Sequence, residues 1–270
     1  MALIHIGFFS DVLGMCTSCD VILPQKSARQ TGMGPGARDG ERYPTLWLLH
    51  GAGDDHTAWL RRTSIERYAA PLGLAVVAPD AHLSSYSDMT HGGKFFTYIA
   101  DELPEKMRTF FPLSDQREDN FVAGLSMGGG GAVKIGLARP ENYAAIGCLS
   151  STMSTVDNRA VSGNPAWEKR LFATYDGRDL TGTEEDTSAG ALRILEEGLP
   201  APRVYHACGS EDFMRESAHE MRDFFQGIDG NPFDYLYEEA PGAHTWAFWD
   251  EHIQHFLDYL GLERRHGFRG

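Results

Sequence analysis

Residues 121–131 read FVAGLSMGGGG, and this stretch decides the fold. Five apolar residues (121–125) have the length of a buried strand. Ser126 follows at once, and a helix opens on Met127 and Gly128, runs to Ala138 and is stopped by Pro140. Gly124-Leu125-Ser126-Met127-Gly128 is therefore a G-x-S-x-G motif set between strand and helix, with glycines where a side chain would collide with the neighbouring backbone. A sharp turn there lifts the serine clear of the sheet. It also places the hydroxyl at a helix amino terminus, where backbone N–H groups favour developing negative charge.

Outward from this stretch, strand-length apolar runs alternate with helix-period segments, the pattern of an α/β fold with a mostly parallel sheet. Upstream, 45–50 (TLWLLH) and 74–79 (LAVVAP) are strands, and 58–70 and 98–111 are helices, the second kinked or restarted at Pro104. Downstream, 144–149, 204–208 and 233–238 are strands, the last two each followed by a helix. In the final helix Trp249, Ile253, Phe256, Leu257 and Leu260 form one stripe, and Gly261 is placed to end it. The amino terminus differs: 4–9 and 19–23 predict an antiparallel hairpin at a sheet edge, and the glycine-rich 25–44 predicts an exposed loop. The expected architecture is one α/β domain over 1–270, with a mostly parallel central sheet, an amino-terminal antiparallel hairpin and helices on both faces. Residues 151–200 are longer than a crossover requires, so they predict an insertion over the sheet edge, serving as a lid or substrate pocket.

Composition narrows the function. With 24 Lys+Arg against 38 Asp+Glu the formal charge is −14, and no basic patch relieves it, which argues against nucleic acid and anionic membrane as partners. The apolar start has no cationic lead, and no stretch approaches the roughly 18 apolar residues of a membrane span, so a cytoplasmic location is the expectation. Cys16 and Cys19 have C-x-x-C spacing but lack a second pair at ligand spacing, so they, Cys148 and Cys208 are expected as reduced thiols. Glycine, 30 of 270 residues, exceeds the usual share of about 7%.

A serine hydroxyl needs a base, and the base needs an orienting acid. Where the elbow serine comes first in the chain, the acid and then the histidine follow from loops after later strands. Among the eleven histidines, His244 alone downstream of Ser126 stands in such a loop, 240–246. His206 falls inside a strand, and His219, His252 and His255 fall in helices, where they read as surface or hydrogen-bonded buried residues. The acid should follow 204–208, where Glu211 and Asp212 are adjacent; Asp212 is the better candidate and Glu211 stays open. Oxyanion donors are expected from the N–H of Met127 and, in the glycine-flanked loop after 45–49, the N–H of Ala52. His50, Asp54, Asp55 and His56 could alternatively be metal ligands, but four bunched residues make a poor cage. Trp167, Phe172 and Tyr175 could either line an acyl pocket or pack the insertion onto the body.

The blocks FFSDVLG, VILPQ, LLHGAGDDHTAW, SSYSDM, FFTYIADELPEKM, GLSMGGGGAVKIGLARP, ACGSEDF and PGAHTWAFWD occur in this order over most of the chain. In them the sequence resembles the esterase family that includes esterase D, S-formylglutathione hydrolases, feruloyl esterases and, most similar, tributyrin esterases. The resemblance implies an α/β-hydrolase fold and a serine carboxylesterase for short acyl esters, tributyrin or acetyl esters among them and some on acetylated or feruloylated carbohydrate. It implies no metal or cofactor, with Ser126, Asp212 and His244 as triad and Ala52 and Met127 as oxyanion donors. Hydrolases of this type often self-associate, so a homo-oligomer is a further expectation. Formylglutathione hydrolases usually have a histidine before the elbow serine or in the glycine run after it, where this chain has Leu125 and Gly130. Thioester hydrolysis or acyl transfer on the same triad is thus the alternative, and a hydrolase-fold binding module the second alternative. A histidine base also implies activity that rises with pH as the imidazole loses its proton.

Overall fold

The alternation within β3 (Thr45–Leu49) shows how the layers form. Leu46 and Leu48 point into one core while Trp47 and Leu49 point into another, because side chains along a strand alternate between the faces of a sheet. All five residues are buried, so both faces of the sheet must be covered. The computed structural model describes residues 1–25, 42–153 and 163–263. Most of the expected 25–44 loop and part of the 151–200 insertion lie outside these residues.

In chain order the elements are β1 (Ala2–Ser10), β2 (Met15–Leu23), β3, α1 (Ala58–Arg62), α2 (Ile65–Ala69), β4 (Ala75–Pro79), α3 (Phe95–Thr97), α4 (Leu103–Phe110), β5 (Asn120–Leu125), α5 (Met127–Ala138), β6 (Ala145–Leu149), α6 (Pro165–Tyr175), α7 (Thr187–Glu196), β7 (Arg203–Gly209), α8 (Arg215–Gln226), β8 (Leu236–Ala240) and α9 (Trp246–Tyr259). One eight-stranded sheet has the order β1-β2-β4-β3-β5-β6-β7-β8. Strands β3 to β8 run parallel, while β2 pairs antiparallel with β4 and β1 with β2, so the amino-terminal hairpin forms one edge. One core lies under α1, α2 and α9 (Trp59, Ile65, Trp249, Ile253, Phe256) and the other under α4, α5, α7 and α8 (Met107, Val133, Ile135, Ile194, Met221). The mixed sheet with helices on both faces is the α/β-hydrolase architecture the sequence predicts.

Several boundaries move for local reasons. The helix expected over 58–70 is two helices, because Thr63 is extended, donates its hydroxyl to the Trp59 carbonyl and accepts the Ile65 N–H. The Pro104 restart takes the form of a π-helical turn, Tyr98–Glu102, from which α4 begins again with the proline near its start, where no N–H is needed. The strand expected over 233–238 starts at Leu236 instead: Asn231 and Asp234 have φ of 46° and 42°, and the Asn231 side chain accepts the Tyr235 N–H, forming a turn that buries Phe233 before the strand begins. The described part of the insertion packs α7 along α5, and it ties α6 to the loop after β4 through Thr90 N–H to Thr174 O and His91 N–H to Ala173 O. Cys16 and Cys19 fall on opposite faces of β2, one exposed and one buried, and all four cysteines are free thiols. Among the described residues, no helix is long and apolar enough to cross a membrane.

Candidate active site

Ser126 sits at the apex between β5 and α5 with φ 51° and ψ −120°, a conformation costing a non-glycine residue about 1–3 kcal/mol. Its N–H donates to the Leu149 carbonyl of the neighbouring β6 at 2.8 Å, which pins the turn to the sheet. The close approach of α5 explains the glycines. A Cβ on Gly128 would lie 2.5 Å from the Leu49 carbonyl oxygen and 2.6 Å from that of His50, so the elbow and the end of β3 touch backbone to backbone. The loop bearing Ala52 is thereby held beside the amino terminus of α5. Ala52 itself is exposed, in a turn closed by Asp54 N–H to Gly51 O.

His50 holds that loop. Its Nε2 accepts the Ala81 N–H at 3.0 Å, so Nδ1 carries the proton and donates to the Gly51 carbonyl at 2.8 Å. The Tyr86 hydroxyl donates to the His50 carbonyl. With both ring nitrogens engaged, and Asp55 occupied by the Thr57 N–H and hydroxyl, the quartet His50, Asp54, Asp55 and His56 does not assemble as metal ligands.

The candidate acid and base, Asp212 and His244, stand on loops after the adjacent strands β7 and β8. His244 Nδ1 lies 2.9 and 3.0 Å from the two oxygens of Asp212, whose side chain is fully buried, while the imidazole is 19% exposed. A carboxylate there accepts from Nδ1–H, which leaves Nε2 as the proton acceptor; among the described residues Nε2 has no hydrogen-bond partner. Burial raises the Asp212 carboxyl, but the bond from His244, the Met214 N–H, the imidazole's charge and the Ser150 hydroxyl outweigh it, so the group sits below its ordinary range. The ring is packed between Phe213 and Trp249, at centroid separations of 4.4 and 4.9 Å. Glu211 serves another purpose: its carboxylate accepts the Gly242 N–H at 2.6 Å, and its own N–H donates to the Gly242 carbonyl, clamping the loop that carries His244.

Sequence reasoning missed two residues here. Ser150, with φ 50° just after β6, the strand that pins Ser126, helps to hold the Asp212 carboxyl down and accepts the Trp249 indole N–H at 2.9 Å. Arg170 on α6 is 8% exposed; it donates to the Leu83 carbonyl and the Ser85 hydroxyl, touches the Met127 sulfur and lies 4.2 Å over the Trp167 ring. Ser150 was hidden in a plain serine pair, and Arg170 in a helix with no motif. Of the three insertion aromatics, Tyr175 is buried against Ser87, Phe172 is exposed and stacked on His91, and only Trp167, through Arg170, neighbours the elbow.

A strained serine between parallel strand and helix, with a carboxylate–imidazole pair on the loops after β7 and β8 of the same sheet, defines a serine hydrolase of the α/β-hydrolase class. Residues 10–259 match the family described as Putative esterase, and the chain belongs to that family, a carboxylic ester hydrolase of the serine type. It is 30% identical to an acetyl esterase of Caldicellulosiruptor saccharolyticus, covering 96% of this chain and 98% of that one. It is 28% identical to an S-formylglutathione hydrolase of Paracoccus denitrificans over 84% and 86% of the two chains. The solved structure of FphF, a fluorophosphonate-binding serine hydrolase of Staphylococcus aureus in a substrate-bound state, is 30% identical and superposes with a TM-score of 0.84, covering 96% of this chain and 98% of that one.

Proposed function

We propose that the protein hydrolyses short-chain acyl esters through an acyl-enzyme, with Ser126 as nucleophile, His244 as general base and acid, Asp212 as its orienting carboxylate and the N–H groups of Met127 and Ala52 as oxyanion donors. The observation that carries this reading is the Asp212–His244 pair, which uses Nδ1 and leaves Nε2 without a partner among the described residues, on the loops after β7 and β8. Ser126 attacks the ester carbonyl as Nε2 takes its proton. The tetrahedral oxyanion forms at the start of α5, where uncommitted amides and the helix dipole favour negative charge. The imidazolium then protonates the departing alcohol, and water repeats the sequence to release the acid. The acyl-size reading draws on the likeness to an acetyl esterase over nearly the whole chain.

In the test, Ser126→Ala should abolish nitrophenol release from nitrophenyl acetate and labelling by a fluorophosphonate probe, with an unchanged circular dichroism spectrum. Turnover at the parent rate would overturn the assignment. The likeness to an S-formylglutathione hydrolase favours a second reading, thioester cleavage on the same residues. Matched oxygen and sulfur esters, with and without an acceptor alcohol, separate hydrolysis of each from acyl transfer. The described part of the 151–200 insertion supports a substrate-pocket role, since Arg170 brings α6 against Met127.

A further inference from the structure

His252, on the buried side of α9, is hydrogen-bonded through only one of its two ring nitrogens. Its Nδ1 lies 2.9 Å from the Phe248 carbonyl, which only accepts, so Nδ1 carries a proton and, in the neutral ring, Nε2 holds a lone pair. The residue is 1% exposed and Nε2 has no hydrogen-bond partner. That nitrogen faces Glu238 Oε1 of β8 at 3.6 Å, so two acceptors point at each other with no donor between them. One turn along α9, His255 Nδ1 lies 3.0 Å from the same Oε1. The Tyr205 hydroxyl donates to the other oxygen, Oε2, at 2.6 Å and fixes the carboxylate's orientation.

We propose that Glu238, His252 and His255 form a binding site for one late first-row divalent cation of the zinc type, separate from the esterase residues. Among the described residues this is the one group of metal-capable side chains whose ligand atoms all converge, within 4.8 Å of one another. Tetrahedral zinc with bonds of about 2.1 Å separates its ligand atoms by about 3.4 Å, and the 3.0 and 3.6 Å separations here bracket that value. The ligand set, two imidazoles and a carboxylate, suits zinc, cobalt or nickel rather than calcium or magnesium, which prefer all-oxygen shells. The supporting contacts are those of a metal site: His252 donates its other N–H to a backbone carbonyl, and a tyrosine hydroxyl braces the carboxylate. An entry path exists, because the side chains of His255 and Glu238 are 42% and 32% exposed while His252 closes the inner side. Binding displaces the proton on His255 Nδ1, and water completes the fourth position. The cation would join β8 to α9, the two elements between which the His244 loop is strung, so its first effect is on stability.

The experiment uses the full chain, stripped with a chelator and dialysed, then titrated with zinc chloride by calorimetry and with cobalt(II) chloride by visible absorption. Expected are one equivalent of zinc, cobalt bands of four- or five-coordinate intensity, and a Tm raised by roughly 5–10 °C at a hundredfold excess over Kd. His255→Gln removes a half-exposed ligand without opening the core and should weaken cobalt binding at least about tenfold and abolish the bands. Glu238→Gln should do the same, and unchanged nitrophenyl acetate turnover in His255→Gln shows that this variant is folded. Weak six-coordinate cobalt spectra, or binding undiminished in His255→Gln, would overturn the proposal.

Discussion

Two neighbouring carboxylates divide the work at the carboxyl end of β7. Asp212 is short and buried, and both its oxygens meet His244 Nδ1, whereas the longer Glu211 reaches across to the Gly242 N–H. Asp212→Asn should therefore lower kcat by about 10⁴-fold by stabilising the wrong imidazole tautomer. Glu211→Gln keeps an oxygen for Gly242 and should stay within about tenfold of the parent. Equal losses in a steady-state assay would overturn the proposed acid role of Asp212. Gly128 makes a packing prediction: the Cβ of Gly128→Ala meets two backbone oxygens at 2.5 and 2.6 Å, neither of which can yield without shifting β3. Urea unfolding should show a loss of about 1–3 kcal/mol, with a larger loss of activity than of stability. The candidate triad was legible at this scale because each member stands next to a strand end with its own local signature. Ser150 and His50 were not, since what they do depends on partners on other elements, Trp249 and Asp212 for one and Ala81 for the other.

Elements were readable where a strand is buried on both faces. The bounds of α5 were anticipated in full because Ser126 and Pro140 bracket it, and β3, β5 and β6 were placed to within a residue. Strand β8 was displaced because it is an edge strand whose residues, Leu236 to Ala240, are none of them fully buried, so hydrophobicity pointed to the plug residue Phe233 instead. The sequence also gave no sign that Lys134, on the apolar helix α5, would be buried at 1% exposure. Its ammonium lies 2.5 Å from Glu185 of the α6–α7 connection and donates to the Ser87 hydroxyl and the Ser85 carbonyl. This cluster fastens the insertion to α5 and to the loop after β4. Removing one charge strands the other, so Glu185→Leu should destabilise the protein by about 3–5 kcal/mol, while Lys134→Met with Glu185→Leu should recover part of that loss. Chemical denaturation of the single and double variants measures it; a double variant less stable than Glu185→Leu alone would show that the ion pair is not the fastening.

At the scale of the whole molecule, the folded state resists protonation at two places beneath the same loops. His206 in β7 is completely buried, and burial pushes its imidazole down to about 3, only partly opposed by the bond to the Ser151 carbonyl. Its Nε2–H donates to that carbonyl and its Nδ1 accepts from the Tyr235 hydroxyl, so the neutral ring is fully used. An unfolded histidine takes up its proton near pH 6.5. Between about 6.5 and 3 the unfolded chain therefore binds one proton that the folded chain refuses, and stability falls by about 1.4 kcal/mol per pH unit as the pH drops. Asp212 acts in the same direction but lower: its depressed carboxyl contributes stability above the unfolded value of about 3.9, and that contribution is lost as the pH falls through the folded value. Acid loss should thus begin near pH 6.5, well above the carboxylate range, with His206 as its first source. His206→Gln tests this, since it destabilises the protein at pH 7 through the lost bonds to Tyr235 and Ser151 but removes the titrating group. The cost of the substitution in urea unfolding should be smaller at pH 5 than at pH 7 by about 2 kcal/mol. An equal cost at both values would mean that His206 takes up its proton as readily in the folded sheet as in the open chain.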